Sequence, residues 1–322
     1  MNRIIKKSNK KAAFTIIELL TVMSIIVILI ALLVPALNKA RRYAKRVRQK
    51  AQLHSIGAAI ELFNAENEGF PPSDELDIAG LPYCGAMKLA EAIMGQDLLG
   101  FHPASRFRSD GTVDGDPAKP LYAPATEHGR VGPYLQHENA NAYRLNNLYQ
   151  GAALEDEAGF EGERFVLCDV YSNVSNLDST IGAKYKIGMP ILYFRANTSN
   201  AAHDYTTPAL SIYNYEDNDD LVTLGIPFLP NVAHPMSSGS SGPANTRYDD
   251  TGGTLITARP GVFYEHIRNE NITLPSPPRP YRSDSYILLS AGFDGEYGTR
   301  DDVYNFEKQL MDFTEGVALT IF

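Results

Sequence analysis

Phe14-Thr15-Ile16-Ile17-Glu18-Leu19-Leu20-Thr21-Val22-Met23-Ser24-Ile25-Ile26-Val27-Ile28-Leu29-Ile30-Ala31-Leu32-Leu33-Val34-Pro35-Ala36-Leu37 decides the fold. As a helix this stretch would rise about 36 Å, enough to cross a hydrocarbon layer about 30 Å thick. It predicts a transmembrane helix over 14–37. A secretory signal peptide would have a shorter apolar stretch followed by a small-residue cleavage site. Here the stretch leads into Asn38 and a cationic segment instead. Two residues do not suit a purely apolar anchor. Glu18 places an ionisable group in the span, at a cost of about 2.5 to 3.5 kcal/mol on insertion scales, and therefore wants a partner. Pro35 removes a backbone hydrogen bond, so a kink, a local melt or a helix end near the interface is expected there.

The charge is distributed in blocks. Residues 1 to 13 hold Arg3, Lys6, Lys7, Lys10 and Lys11 and no acid. Just past the span come Lys39, Arg41, Arg42, Lys45, Arg46, Arg48 and Lys50. The formal net charge of -9 thus hides a strongly acidic remainder, for 37 of the 38 Asp and Glu residues lie beyond residue 54. Such a head repels phosphate backbones, and no nucleic-acid partner is expected for it. The cations at 39–50 fit either a solvated helix face or contacts with acidic heads or lipid phosphates.

Lys10-Lys11-Ala12-Ala13-Phe14-Thr15-Ile16-Ile17-Glu18-Leu19-Leu20 resembles the cleavage and methylation signature of type IV pilins and type II secretion pseudopilins. Ala13 stands where that family usually has glycine. The resemblance implies a leader over 1–13, a cut by prepilin peptidase between Ala13 and Phe14, and N-methylation of Phe14. It also implies that the Glu18 carboxylate pairs with the new ammonium at Phe14 of a neighbouring subunit, and that Pro35 sits at the family's proline position. Two opposite charges in hydrocarbon relieve each other only when they meet, so Glu18 would set the assembly register. A raw count of cations on the two sides of the span would place the carboxyl side in the cytoplasm. The signature outweighs the count, because the peptidase acts from the cytoplasm, and the head is expected outside.

Leu53, Ile56, Ile60 and Phe63 recur at helical spacing, so the helix is expected to continue past the membrane over 38–67, to about Glu66. Asn67, Gly69, Pro71 and Pro72 signal its end. The globular part, 68–322, reads as α+β. A helix is expected over Gly85–Leu98, and strands over Arg164–Tyr171, Ile187–Arg195 and Ser285–Ala291. A loop-rich insert is expected at about 197–260, where Asp217 to Asp220 read as a solvated acidic run, as do Asp110, Asp114 and Asp116. Cys84 and Cys168 are the only cysteines, which excludes a disulfide framework or a four-thiolate zinc site and leaves one bridge or two separate core thiols.

Ser285 to Gly295 resembles the strand and following loop of the major pseudopilin of type II secretion, and Gly188 to Tyr193 resembles its sheet more weakly. The resemblance covers about residues 10–72 and 283–306. The loop Leu289 to Tyr304 concentrates Asp294, Asp301 and Asp302 among Gly292, Gly295 and Gly298. Taken alone, that loop is either solvated or metal-bound; the resemblance implies calcium held by the three aspartates with backbone oxygens near Leu289 and Ser290.

The expected fold is therefore pilin-like α+β, a long amino-terminal helix on a small antiparallel sheet. The expected function is a filament subunit of a type II secretion system or a related type IV machine, single-pass in the inner membrane with a periplasmic head. Its expected partners are copies of itself, other pseudopilins, prepilin peptidase, the assembly platform and the lipid bilayer. A minor pilin or adhesin is the alternative, since the head is large for a major pseudopilin. No metalloprotease, phosphate-loop or nucleophile-elbow motif occurs, so an enzyme is not expected. A Ser/His/Asp set needs no motif, which leaves a membrane-tethered hydrolase as the remote alternative.

Overall fold

The apolar stretch and the pattern after it both form helix. In the computed structural model residues 15–149, 162–172, 174–177, 184–227, 234–237, 246–248, 255–257, 260–272 and 277–307 are described. The leader, Ala13 and Phe14 lie outside them. The chain divides into two compact units, Met1–Lys45 and Arg46–Phe322, and helix α1 (Ile16–Asn67) has residues in both.

In the first unit, α1 contains an 18-residue window of mean hydropathy 3.0, none of it buried. Among the described residues it is the one helix long and apolar enough to cross a membrane. Its hydroxyls return to their own backbone, Thr21 Oγ1 to the Ile17 carbonyl at 3.0 Å and Ser24 Oγ to that of Thr21 at 2.8 Å, which leaves them no need of water. The helix assignment runs through Pro35, so no helix end falls there.

In the second unit α1 ends at Asn67, whose Nδ2 donates to the Phe63 carbonyl at 3.0 Å, and Glu68 follows in the left-handed region at φ 57°. Leu53, Ile56, Ile60 and Phe63 are all buried, as their spacing predicts. Gln49 and Gln52 are buried beside them because their amides serve backbone: Gln49 Oε1 accepts from Val170 N at 2.9 Å and Gln52 Nε2 donates to the Cys168 carbonyl at 2.9 Å.

Helix α2 (Gly85–Met94) is shorter than expected. Gly95, at φ 84°, donates its N–H to the Glu91 carbonyl and ends the helix. Every residue of α2 is buried, including two charged ones. Lys88 Nζ donates to the carbonyls of Asp74 at 2.6 Å and Leu76 at 2.8 Å. Glu91 accepts from the hydroxyls of Tyr83 at 2.6 Å and Tyr122 at 2.7 Å, and from Gln96 Nε2 at 3.2 Å. Burial raises the Glu91 carboxyl above its ordinary range, while those donors pull it back.

Strand pairs follow: β1 (Thr112–Val113) with β2 (Asp116–Pro120), and β3 (Ala142–Arg144) with β4 (Phe165–Leu167), flanked by the one-turn helices α3 (His137–Ala140) and α4 (Leu145–Leu148). Strand β5 (Val174–Leu177) pairs with β6 (Lys184–Ile187). The three-stranded antiparallel sheet consists of β11 (Val303–Tyr304), β10 (Tyr286–Ser290) and β7 (Leu192–Arg195), with β10 central. Between β7 and β10 lie α5 (Asp219–Thr223), the pair β8 (Thr246–Tyr248) and β9 (Leu255–Thr257), and α6 (Gly261–Ile267). The structure is thus mixed α+β with small antiparallel sheets. The expected strand over 187–195 is broken at Gly188-Met189-Pro190, where the chain changes partner: Asp169 N donates to the Met189 carbonyl at 2.8 Å and Ile191 N to the Leu167 carbonyl at 2.7 Å, between the pairing of β6 with β5 and of β7 with β10.

The central sheet is buried on both faces. Tyr193, Tyr286 and Leu288 join the cluster of Ile56, Ile60 and Ile93, while Leu192, Phe194, Ile287 and Leu289 join that of Met87, Phe263 and Tyr297. This two-sided burial is why its strands read as continuous apolar runs. Tyrosines do much of the filling, and Tyr83, Tyr193, Tyr213 and Tyr297 are among the largest fully buried side chains. Cys84 and Cys168 are both buried free thiols in one cluster, so the separate-thiol alternative holds.

The expected insert at 197–260 is only partly surface. Ile212, Tyr213, Leu221, Val222 and Ile226 are buried, and so is Asp217, which accepts a hydrogen bond from the Ser73 hydroxyl. Burial first, then the neighbouring carboxylates, push Asp217 well up, against the expected solvated run.

Candidate functional site

Two places carry the predicted site residues, one in each unit. At the start of α1, Thr15-Ile16-Ile17-Glu18 forms a capping box. Glu18 Oε2 accepts from Thr15 N at 2.8 Å and from Thr15 Oγ1 at 2.7 Å, and Glu18 N donates to Thr15 Oγ1 at 3.3 Å. The carboxylate at the membrane end of the helix thus already closes its own first turn. Thr-x-x-Glu before an apolar run is the sequence signature of this role, which the membrane cost of Glu18 overshadowed.

The second place is the loop between β10 and β11. Gly292 turns the chain at φ 70°, and a Cβ there would run into the Asp301 carbonyl. That close approach brings the two ends of the loop together. Asp301 Oδ2 then accepts from Phe293 N at 2.5 Å and Asp294 N at 3.0 Å, while Oδ1 accepts from Thr299 Oγ1 at 2.6 Å. Asp294 Oδ1 accepts from Glu296 N at 2.9 Å. Burial first, and then the adjoining Asp301 carboxyl, push Asp294 up to about 8. A hard cation at this place would displace the Asp294 proton.

Asp302 is held elsewhere. Its Oδ2 accepts from Gly298 N at 3.0 Å and Tyr304 OH at 3.3 Å, with His266 Nδ1 at 3.5 Å, and its buried Oδ1 has no hydrogen-bond partner. Burial raises this carboxyl, and His266 opposes the shift. Asp294 and Asp301 meet, but among the described residues no three His, Cys, Asp or Glu side chains gather in a metal-holding group. Asp294 and Asp301 offer the hard oxygens a cation such as calcium prefers, while Asp302 stands apart from them, facing His266 and Tyr304.

Residues distant in sequence hold the loop in place. Tyr297 is fully buried, and its hydroxyl donates to the Pro190 carbonyl at 2.5 Å. Its N–H donates to His234 Nδ1 at 3.2 Å, so His234 presents Nε2–H to the Gly225 carbonyl, 3.0 Å away. At the end of β10, Ser290 Oγ donates to Asp169 Oδ2 at 2.9 Å, and Asp169 Oδ1 accepts from Tyr171 N at 3.0 Å and Met189 N at 3.2 Å. Asp169 and His234 were missed because nothing local marks them; Gly188, packed on Asp169, was the one available sign.

The other acidic runs are engaged differently. Asp110 pairs with Arg108 at 2.6 Å and is held at about 2 by that guanidinium. Glu75 is pushed up to about 7 by burial first and then by Asp220.

No protein-family model, curated protein or solved structure matches this chain. What stands is a mixed α+β chain with one amino-terminal helix long and apolar enough to span a membrane.

Proposed function

We propose that the chain is a structural filament subunit of the pseudopilin kind, made as a precursor and cut before Phe14. The observation that carries this is the sequence Lys10 to Leu20, basic residues, a small residue, phenylalanine and a glutamate four residues on, in a chain whose helix α1 holds Glu18 in its otherwise apolar first turns. The Thr15 cap gives the carboxylate a local use, and a subunit that meets its neighbour's amino terminus would give it an opposite charge as well. In this reading the fold is pilin-like, the amino terminus is cytoplasmic and the head periplasmic. Copies of the chain, other pseudopilins, prepilin peptidase and the assembly platform are the partners. In the free subunit Thr15 satisfies Glu18; in the filament the ammonium of Phe14 from a neighbouring copy would meet the same carboxylate.

The loop after β10 is proposed to hold calcium through Asp294, Asp301 and Asp302 with backbone oxygens near Leu289 and Ser290. Calcium there would displace the proton that Asp294 otherwise holds.

Mass spectrometry of the protein from a peptidase-positive host tests the main reading. The expected chain starts at N-methylated Phe14. A full-length chain with the leader intact would overturn it.

A further inference from the structure

One turn of the head is built inside out. In Leu76-Asp77-Ile78-Ala79-Gly80-Leu81 the aspartate is buried, while Ile78 is 62% exposed and Leu76 and Leu81 are 45% exposed each. The conformation is held from beneath. Asp77 Oδ1 accepts from Ala79 N at 2.7 Å and Leu81 N at 2.9 Å, and Oδ2 accepts from Ser109 N at 2.9 Å and Ser109 Oγ at 3.0 Å. Asp77 N donates to the Leu81 carbonyl at 2.8 Å, Gly80 turns the chain at φ 78°, and the buried Lys88 ammonium holds the Leu76 carbonyl from inside. A turn fixed by a buried carboxylate and a buried ammonium does not need its aliphatic side chains for folding. Three large apolar groups therefore stay in water on a rigid tip. Such a tip has the form of a protein contact, because little conformational freedom is left to lose when it docks.

The same unit contains a recess for it. A cleft of about 440 Å³ lies between α1 and the chain that continues from β11, inside the range of about 300 to 1,000 Å³ usual for binding clefts. Leu53, Gly57 and Ala58 line it from α1, and Tyr286, Tyr304 and Phe306 line it from the sheet side. Lys50 and Glu307 also line it and pair with each other at 2.8 Å, so these two charges are already matched and the apolar lining is what the cleft offers. Tip and cleft leave opposite edges of the three-stranded sheet. The chain entering the tip is tied to β7 through Ser73 Oγ, which accepts from Arg195 N at 3.0 Å, whereas Tyr304 to Phe306 continue β11. One copy thus offers its tip to one neighbour and its cleft to another, and such a heterologous contact propagates rather than closing on a pair.

We propose that the tip formed by Leu76, Ile78 and Leu81 in one copy docks in the cleft between α1 and β11 of the next copy, as the contact from head to head in a polymer. This rests on the filament reading. The occupant is a second copy because three side chains bury far less than the about 800 Å² per partner of a stable complex, so the contact holds only where another attachment keeps the partners at high effective concentration. Copies anchored in one membrane by the same apolar helix have that attachment.

The full chain is expressed in a peptidase-positive host as Ile78→Cys, as Ala58→Cys, as both variants together and as the double variant, and the membranes are oxidised mildly. Wild type is the control, since its two cysteines are buried. The two single variants together should give a bridged dimer, either one alone should not, and the double variant should give a ladder of trimers and longer species. Leu81→Cys in place of Ile78→Cys guards against an unfavourable bridging angle. Dimers from Ile78→Cys alone would set tip against tip and overturn the proposal. Mass spectrometry of the same membranes reports the amino terminus. A chain cut before Phe14 that forms no bridge with either tip cysteine would refute the contact and leave the filament reading standing; an uncut chain without a bridge would refute both. Ile78→Asp should lower the yield of sedimenting polymer about tenfold while melting like the wild type, and Ile78→Leu should keep the yield. An undiminished yield from Ile78→Asp would also overturn the proposal.

Discussion

Exchanging Asp294 for Asn separates the proton and the cation at the β10–β11 loop. In the metal-free protein Asp294 is pushed up to about 8, so its carboxyl is mostly protonated at neutral pH. A group whose pKa is raised by folding contributes its stability fully below the unfolded value near 4, and that contribution is lost as pH rises towards about 8. Calcium must displace the same proton, so each pH unit below about 8 weakens its apparent affinity about tenfold. Suppose free calcium is about 100 times the dissociation constant at about pH 9. The head is then stabilised by about 2.7 kcal/mol. At about pH 6 the same calcium is roughly equal to the apparent constant, and the gain falls to about 0.4 kcal/mol. At about 2 to 4 °C per kcal/mol for a unit of this size, calcium should raise the melting temperature by about 5 to 10 °C at the higher pH and by about 1 °C at the lower. Asp294→Asn should lose the calcium response at both. In chelator it should lose Asp294's share of the decline in stability between about pH 4 and 8, while the share of Glu75, Glu91, Asp217 and Asp302 stays. The assay is a near-ultraviolet circular dichroism melt of the full chain in detergent, with calcium or chelator. A wild-type melt indifferent to calcium at about pH 9 would refute the site. A response equal at the two pH values would refute the Asp294 proton as calcium's competitor.

Two further substitutions test other links. Glu18→Ala should still insert, since it removes a charge that costs about 2.5 to 3.5 kcal/mol in the bilayer, yet lower filament yield because Phe14 loses its partner; normal yield by sedimentation would count against that role. Glu91→Ala should cost about 3 kcal/mol or more in a denaturant titration, because the Tyr83 and Tyr122 hydroxyls and Gln96 are left unpaired inside, whereas Glu91→Gln keeps an acceptor and should cost visibly less.

The parts of the fold that follow a local period were legible. Leu53, Ile56, Ile60 and Phe63 mark one helix face whatever they pack against, and Tyr286 to Ser290 is apolar enough to read as a buried strand. What could not be read depends on distant partners. Gln49 and Gln52 look like solvent residues until residues 168–170 are brought to them. Asp217 looks like one until Ser73 is. Strand β11, two residues long, carries no period at all. The same holds for the site. Asp294, Asp301 and Asp302 were visible as a cluster in sequence, but only the turn at Gly292 decides that the first two meet while the third faces His266 and Tyr304. Thr15 was the opposite case, a local signature hidden beneath a functional one.

The choice of phenol rings to fill the core has an optical consequence. The chain has 18 tyrosines and no tryptophan. Burial pushes the ionisation of Tyr171 and Tyr286 up to about 12, and that of Tyr83, Tyr193 and Tyr297 still higher. Unfolded tyrosine ionises near 10, so the stability these rings contribute is whole below that value and drains away as the solution becomes more alkaline. Strong base should therefore open the head by claiming protons from its interior. The same event turns colourless phenols into phenolates that absorb at longer wavelength, and with no indole to mask the change, the protein carries its own indicator of whether its core is closed.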